Sequence, residues 1–297
     1  MGSMPMAVPI DDALLSRWPL PLPAANGDKE TRGSVLIVAG SREMPGAAVL
    51  AGNAALRAGA GKLVIATAAS VATAVALAIP EARVIALAET GAGAIAGTAA
   101  EGLFKAARDV EAALIGPGMV DERAACEFVQ TLLPRLGQAT VLLDALAMGA
   151  VRDPGAGVHR TLAMTPHAGE LAHLLAKEKS EIVCNPGSIA SAAAQQWNAV
   201  VALKGALTTI ASPDGRLWRH EGGNVGLAVS GSGDTLAGII AGLMARGAAL
   251  EQACAWGVVL HARAGDRLAS RQGKIGYFAR EIAAEIPALM GELAARS

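Results

Sequence analysis

A glycine-rich tetrapeptide in the last third of the chain carries the residues best suited to chemistry. The sequence GSGD occupies residues 231–234, and the apolar residues 235–245 that follow it predict a helix. Glycine lets the backbone approach a ligand closely, and a helix that begins there directs free N–H groups at an anion such as phosphate. A carboxylate inside an anion-binding site is unfavourable unless the site needs a general base, so Asp234 is our first catalytic candidate. The alternative is that Asp234 only caps the helix.

Further polar residues lie at the predicted ends of strands. Asp144 ends a buried run and could either pair with a buried partner or bind a solvated magnesium ion. Lys204 ends another apolar run and is followed by Gly205 and Thr208, so we expect it to hold phosphate. The alternative is a solvated lysine. His167 follows a proline at a predicted helix start, where capping and ligand contact are equally open.

The elements that must position these residues alternate between short apolar runs and longer helical patterns. The predicted strands are 34–39, 62–67, 83–87, 112–116, 140–144, 161–165, 200–204, 208–212 and 217–220, the last three partly antiparallel. The predicted helices are 47–58, 71–78, 98–107 and 122–136, with three more starting near 235, 251 and 277. This alternation predicts an α/β fold with a mostly parallel sheet covered by helices on both faces. Right-handed crossovers place the carboxyl ends of parallel strands at one edge, where ligands bind, and every candidate falls at that edge.

Composition excludes several functional classes. The formal net charge is −1, so no basic field indicates nucleic acid or an anionic membrane as a partner. Aromatic residues make up only 3%, which argues against stacking platforms for single strands. The uncharged run 63–80 is interrupted by polar residues and ends in proline, so we do not expect it to span a membrane. Three widely spaced cysteines and the lack of a secretory signal predict reduced thiols in a cytoplasmic protein.

The chain is predicted to contain an N-terminal arm and one domain. Residues 1–32 hold five prolines and little periodicity, which is typical of an arm, and residues 33–297 show no internal boundary or repeat. A loose GxGxxA at 91–96 lacks a well-placed acid about 20 residues on, so we interpret it as a loop. The sequence has no Walker A loop, GxSxG elbow or zinc pattern.

Five segments in order carry a resemblance to a known family. They are GSVLIVAGSREMPGAAVLAGNAALRAGAGKLVIAT, ALIGPG, TPHAGELAHLL, LKGALTTIASPDG and GGNVGLAVSGSGDTLAGIIAGL. Over residues 29–290 the chain resembles the ADP/ATP-dependent NAD(P)H-hydrate dehydratases of the ribokinase-like superfamily. The resemblance implies a ribokinase-like three-layer α/β/α sandwich, with ADP or ATP and Mg²⁺ as cofactors. Two positions depart from the family pattern, Leu146 in place of an aspartate and Val120 in place of a glycine.

The resemblance also implies two half-sites that meet at Asp234. The nucleotide-binding residues would be Lys204, Gly205, Ala206, Leu207, Thr208, Gly231, Ser232 and Gly233. The residues that bind the hydrated dinucleotide would be Gly46, Ala47, Gly118, His167, Asn224 and Asp234. No protein ligands for magnesium can be named from the sequence.

The implied reaction is the ADP- or ATP-dependent dehydration of hydrated NADH or NADPH, through transient phosphorylation of the hydroxyl on C6 of the nicotinamide ring. One alternative is a small-molecule kinase of the hydroxyethylthiazole- or pyrimidine-kinase type, which would release its phosphorylated product. A second alternative is a nucleotide-binding protein without turnover. We also expect a homo-oligomer, and the first 32 residues leave no room for the epimerase domain that many relatives carry.

Overall fold

The computed structural model describes residues 6–22, 32–153 and 161–295, and within them ten strands form one sheet. The strands are β1 (Val8–Pro9), β2 (Ser34–Val38), β3 (Lys62–Ala68), β4 (Arg83–Leu87), β5 (Ala112–Ile115), β6 (Thr140–Leu143), β7 (Leu162–Met164), β8 (Val200–Leu203), β9 (Leu207–Ala211) and β10 (Leu217–Glu221). Their order across the sheet is β1-β10-β9-β8-β7-β6-β5-β2-β3-β4. Every pairing from β4 across to β8 is parallel, and β9 runs antiparallel to β8 and β10. The predicted mostly parallel sheet with an antiparallel end is therefore confirmed.

Two layers of helices cover the sheet because alternate strand residues point to opposite faces. In β2, Val35 and Ile37 belong to one buried cluster, and Leu36 and Val38 belong to the other. The helices are α1 (Asp12–Arg17), α2 (Pro45–Arg57), α3 (Ala72–Ala78), α4 (Glu122–Leu132), α5 (Ala168–Leu175), α6 (Lys179–Cys184), α7 (Pro186–Trp197), α8 (Ser232–Ala245), α9 (Leu250–Gln272) and α10 (Ala279–Ala294). The first cluster contains residues of α2, α8, α9 and α10, and the second contains residues of α4, α5 and α7, so the three-layer sandwich is confirmed.

Some predicted helices differ in extent or type. Helix α8 begins at Ser232, three residues before the predicted start, because Gly231 adopts the left-handed conformation that the chain needs there. The segment predicted as a helix at 98–107 consists of two 3-10 turns, Gly97–Leu103 and Ala106–Asp109. The helix predicted over 122–136 is α-helical only as far as residue 132. Because Pro134 cannot continue the α-helix, residues 133–135 form a 3-10 turn instead. Helices α6 and α7 were not predicted.

Part of the predicted N-terminal arm packs against the sheet. Strand β1 pairs with β10, and Trp18 stacks on Trp218 with ring centroids 5.8 Å apart. The side chains of Gln252 and Trp256 donate hydrogen bonds to the carbonyl of Trp18. The division into an arm and a single domain stays a prediction. No helix in the described ranges is long and apolar enough to cross a membrane.

Close packing of α2 against α8 fixes the edge at which the site lies. A Cβ atom on Gly238 would be 2.3 Å from the carbonyl oxygen of Ala51, and one on Gly242 would be 2.4 Å from that of Ala55. The contacts advance in the same direction along both helices, so α2 and α8 run parallel. One turn earlier in this register Ala47 corresponds to Asp234, and the two helices therefore begin side by side.

Candidate active site

The glycine-rich stretch forms the N-terminal end of α8. Gly231 is the N-cap residue with φ +85°, a conformation that disfavours residues with a Cβ, and Asp234 is the third residue of the helix. Asp234 is therefore not the N-cap residue, although a carboxylate in the first turn is favoured by the helix dipole. The first N–H groups of an α-helix have no intrahelical partner, so this end of α8 can bind phosphate oxygens.

A buried ion pair faces this helix end from the carboxyl ends of β6 and β8. The Nζ atom of Lys204 lies 3.0 Å from Oδ1 of Asp144, and the hydroxyl of Thr165 donates to the same oxygen at 2.7 Å. Glu170 Oε2 is 3.8 Å from the lysine Nζ. Of the two possibilities left open for Asp144, the structure therefore shows the buried partner. Lys204 is not a solvated lysine, because only 18% of its side chain is exposed.

Asp234 belongs to the same electrostatic cluster. Burial raises the pKa of Asp234, and the carboxylates of Asp144 and Glu170 raise it further, while the ammonium of Lys204 opposes them, so that the pKa is about 6. Burial lowers the pKa of Lys204, but the neighbouring carboxylates outweigh it and the net shift is upward. Lys204 is thus a permanent cation near neutral pH, whereas Asp234 changes charge close to neutral pH.

Gly233 brings the helix end close to the lysine. A Cβ atom at position 233 would lie 3.6 Å from Nζ of Lys204, which is ordinary contact distance, so a larger side chain there would occupy the space beside the ammonium. The backbone of Gly233 does not need positive φ, unlike that of Gly231. Neither the backbone conformation nor packing within the described residues requires glycine at 233, which suits a position where a phosphate must approach the backbone.

The hairpin after β8 carries the remaining predicted nucleotide residues. Gly205, Ala206 and Leu207 are exposed at the turn into β9, and Thr208 donates its hydroxyl hydrogen to the carbonyl of Gly205 at 3.2 Å. The amide of Lys204 donates to the carbonyl of Pro166 at 2.8 Å, which ties this hairpin to the loop after β7. The structure therefore brings residues 204–208 and 231–233 to one edge of the sheet through Lys204.

Three small residues, Gly46, Ala47 and Gly118, belong to the predicted half-site for the hydrated dinucleotide. Gly118 has φ +69°, and a Cβ atom there would be 2.6 Å from Cβ of Ala47 and 2.9 Å from the carbonyl oxygen of Met44. Gly46 is exposed, and a Cβ atom there would meet nothing within 4 Å. The loops after β2 and β5 thus meet at the start of α2. Because α2 starts beside α8, this group of small residues adjoins Asp234.

His167 caps helix α5 through its Nδ1 atom. Nδ1 accepts hydrogen bonds from the amides of Gly169 and Glu170 at 3.0 and 3.1 Å, and Glu170 accepts in return from the amide of His167. An acceptor Nδ1 places the proton of a neutral imidazole on Nε2. Nε2 lies 3.7 Å from Oε1 of Glu170, and 59% of the histidine side chain is exposed, so capping occurs and the imidazole can still be reached by a ligand.

Asn224 is held by the protein itself. Its Oδ1 accepts from the hydroxyl of Tyr277 and from the amide of Gly226, both at 2.9 Å, and its Nδ2 donates to Asp266 at 3.0 Å. These bonds fix the beginning of the loop that leads to Gly231. Contact of Asn224 with substrate stays a prediction.

Sequence reasoning did not single out the supports of this loop on α9. Asp266 binds Asn224 at the loop's beginning, and His261 Nε2 lies 3.0 Å from the hydroxyl oxygen of Ser232 at its end. A Cβ atom on Gly265 would be 2.6 Å from Leu227, so the helix backbone packs directly under the loop. Glu170 was also missed, although it stands in the quoted segment TPHAGE. The available signal was the segment HARAGD, which places His261 and Asp266 on the predicted helix that became α9.

Magnesium fits this edge as an ion shared with nucleotide phosphates. No group of three or more His, Cys, Asp or Glu side chains in the described ranges could hold a metal ion by itself. Asp144 already accepts from Thr165 and Lys204. Magnesium keeps several waters and commonly needs only one or two carboxylates in addition to phosphate oxygens. Glu170, whose side chain is 25% exposed beside Lys204, is the carboxylate that would contribute a ligand.

Comparisons with known proteins place these residues in a family. The family model described as NAD(P)H-hydrate dehydratase matches residues 35–288. An ADP-dependent (S)-NAD(P)H-hydrate dehydratase of Xanthomonas campestris is 48% identical over 274 residues, which are 92% of this chain and 93% of that protein. A bifunctional NAD(P)H-hydrate repair enzyme of Moorella thermoacetica is 39% identical over 93% of this chain, which spans only 53% of that protein.

A solved structure extends the similarity to the fold. The crystal structure of the ADP/ATP-dependent NAD(P)H-hydrate dehydratase of Bacillus subtilis, co-crystallised with ATP and Mg²⁺, has a TM-score of 0.80 and 30% sequence identity. The similarity covers 98% of this chain and 100% of that one. The predicted fold and the predicted family are both confirmed. This chain belongs to the NAD(P)H-hydrate dehydratase family.

Proposed function

We propose that the protein is an ADP-dependent NAD(P)H-hydrate dehydratase that restores NAD(P)H from its hydrated form. The observation that carries this proposal is the position of Asp234, whose pKa is about 6, in the first turn of α8, which begins beside the small residues Gly46 and Ala47 at the start of α2. A phosphoryl donor and a bulky acceptor can converge there on one carboxylate. Similarity to the ADP-dependent enzyme of X. campestris supports ADP as the donor.

The two substrates bind on opposite sides of Asp234. The backbone of residues 231–233 and the ammonium of Lys204 hold the terminal phosphate of the nucleotide, with residues 205–208 beside the rest of it. The hydrated ring lies over the exposed backbone of Gly46, next to Ala47 and Gly118, and His167 offers the exposed edge of its imidazole to the same ligand. Proximity then supplies a large part of the rate enhancement.

Phosphoryl transfer converts a poor leaving group into a good one. Asp234 accepts the proton of the C6 hydroxyl as the hydroxyl oxygen attacks the terminal phosphorus of ADP. AMP leaves with the bridging oxygen. A base with a pKa near the working pH combines a large deprotonated fraction with useful basicity, and a pKa of about 6 meets this condition. The amides at the start of α8 and Lys204 stabilise the charge on the phosphoryl oxygens. Bound magnesium supplies further neutralisation of phosphate charge.

Elimination completes the reaction. The lone pair of the ring nitrogen expels phosphate from C6, and loss of a proton from C5 restores the double bond of NAD(P)H. The sum is hydrated NAD(P)H and ADP giving NAD(P)H, AMP, phosphate and a proton. The buried Lys204–Asp144 pair keeps the ammonium oriented throughout, because both partners are fixed by strand ends. We further propose that the protein acts in the cytoplasm as a homo-oligomer.

The test is direct. The protein is incubated with hydrated NADH, magnesium and either ADP or ATP, and the recovery of NADH absorbance is followed together with phosphate release. Recovery of NADH with one phosphate per NADH supports the proposal, and the faster nucleotide identifies the donor. A phosphorylated product without NADH would indicate the small-molecule kinase, and binding of nucleotide without any reaction would indicate the protein without turnover.

A further inference from the structure

A histidine on α9 contacts the first residue of the phosphate-binding helix with one nitrogen atom. His261 Nε2 lies 3.0 Å from the hydroxyl oxygen of Ser232 and 3.1 Å from the carbonyl oxygen of the same residue. Ser232 is 95% buried and directly follows the N-cap Gly231. The same imidazole nitrogen thus touches both polar oxygens of a residue at the end of α8 to which the proposed function assigns phosphate.

The carbonyl contact decides which nitrogen carries the proton. A carbonyl oxygen can only accept, so Nε2 must be the donor, and a protonated Nε2 has no lone pair with which to accept a hydrogen bond. The Ser232 hydroxyl therefore cannot donate to His261 and can only accept from it. Its own hydrogen is left to point away from the imidazole.

We propose that His261 is a positioning residue that directs the hydroxyl hydrogen of Ser232 toward the terminal phosphate at the start of α8. This inference rests on the proposed function, since it requires a phosphate at that end of the helix. Ser232 then acts as a donor to the phosphoryl group, in addition to the backbone amides. The imidazole itself does not touch the ligand and acts only through Ser232.

The surroundings keep this arrangement constant. Burial lowers the pKa of His261 to about 4, and the nearby Lys204 ammonium also lowers it, so the imidazole is neutral at physiological pH. A neutral imidazole adds no charge that would compete with Lys204 for the phosphate. A hydroxyl oriented before the ligand arrives costs no reorganisation when it binds, which is the condition for an effective preorganised donor.

The test compares the affinities of the protein for ADP and AMP, which differ by the terminal phosphate. In His261→Leu and in Ser232→Ala, we expect the ADP:AMP affinity ratio, measured by calorimetric titration with magnesium, to fall about tenfold. This is the size of one hydrogen bond to a charged group. His261→Gln keeps an N–H donor at similar reach and should recover most of the ratio. The double variant should lose no more than Ser232→Ala alone, because His261 acts through that hydroxyl.

A control on the same helix separates this role from general support. Gln252, at the start of α9, donates two hydrogen bonds to the carbonyls of Trp18 and Pro19 and does not contact Ser232 in the described residues. Gln252→Leu should therefore lower Tm and leave the ADP:AMP ratio unchanged. An unchanged ratio in His261→Leu, or additive losses in the double variant, would overturn the proposal. Should His261→Leu not fold, the comparison of His261→Gln with Ser232→Ala decides: a ratio in the glutamine variant as low as in the alanine variant overturns it. The titrations do not require turnover, so failure of the proposed function would be seen separately in the NADH assay.

Discussion

The two halves of the site are built in opposite ways. The proposed nucleotide half is charged and tightly held: Lys204 pairs with the almost fully buried Asp144, and Thr165 donates to the same carboxylate. In the proposed dinucleotide half, Gly46, Ala47 and Gly118 carry no charge and almost no side chain, and Asp234, His167 and Asn224 supply the polar groups. The first half depends on fixed charges, and the second depends on small residues next to one carboxylate.

This difference follows from what each half must do. Charge develops on phosphoryl oxygens during transfer, and fixed donors stabilise it without reorganisation. A hydrated nicotinamide ring instead needs an uncharged surface next to the base, and Gly46, where a Cβ atom would meet nothing within 4 Å, offers one. Asp234 stands between the halves, so substitutions on either side should separate binding of one substrate from binding of the other.

The largest effect is expected at the junction itself. Asp234→Asn keeps the size of the side chain and removes the base, so kcat should fall by about 10²–10⁴-fold. The Kd for ADP should change little, since the helix end and Lys204 are untouched. Kcat is measured from NADH recovery and Kd by titration. Near wild-type kcat at saturating substrates would remove Asp234 from the chemistry.

A side chain at Gly233 should damage the nucleotide half through space alone. Gly233→Val places a branched side chain against the Lys204 ammonium and the phosphate position, so we expect kcat/KM for ADP to fall by about 10²-fold, the loss of one preorganised donor. The matched control is Gly291→Val, at an open position of α10 where a Cβ atom meets nothing within 4 Å. Equal activity of the two variants would mean that phosphate does not approach residue 233.

Removing the lysine should weaken one substrate more than the other. Lys204→Ala takes away the cation at the phosphate and leaves Asp144 buried without it, so we expect the Kd for ADP to rise about tenfold or more, with a lower Tm. The Kd for hydrated NADH should change much less. Lys204→Ala/Asp144→Asn removes the unpaired charge and should recover Tm but not ADP affinity. Equal weakening of both substrates, in separate titrations, would place Lys204 outside the nucleotide half.

A substitution in the dinucleotide half should weaken binding of the hydrated dinucleotide and leave ADP binding almost unchanged. Ala47→Val adds two methyl groups to a buried side chain that packs against the backbone of Gly118, so it should displace the loops after β2 and β5 and raise the KM for hydrated NADH roughly 10-fold. The Kd for ADP should stay within about twofold. A rise in the Kd for ADP of the same size would show that the two halves are not separate surfaces.

The edge of the sheet and the identity of the polar residues there could be predicted from the sequence, because strand periodicity and loop chemistry are local. Asp144, His167, Lys204 and Asp234 were all placed at strand or helix ends, and the structure has them there. The start of α8 was placed three residues late, since the left-handed Gly231 makes the chain turn into the helix earlier.

The supports of the loop could not be predicted in the same way. The contacts of His261 with Ser232 and of Asp266 with Asn224 join residues 29 and 42 positions apart on different elements. Nothing in a single sequence reports which face of α9 lies against the loop, because that depends on how α9 packs in three dimensions. The buried Asp144–Lys204 pair, 60 residues apart, was likewise left open against a magnesium site.

The smallest expected effect concerns stability, and it tests the same carboxylate without any substrate. The pKa of Asp234 rises on folding from 3.8 to about 6, so the folded state binds the proton more tightly than the unfolded state does. The ionised carboxylate therefore costs stability, a cost that is small below pH 4, grows as pH rises toward 6, and stays constant above it. Asp234→Asn has no such cost and should be more stable than the wild type by a few degrees in Tm above pH 6, since about 1 kcal/mol corresponds to roughly 2–4 °C. Scanning calorimetry of both proteins from pH 4.5 to 8 should show a gap that widens up to pH 6 and then levels off. A difference in Tm that does not depend on pH would mean that folding does not raise the pKa of Asp234. The charged cluster around Lys204 would then be interpreted as stabilising the fold and not as tuning a catalytic base.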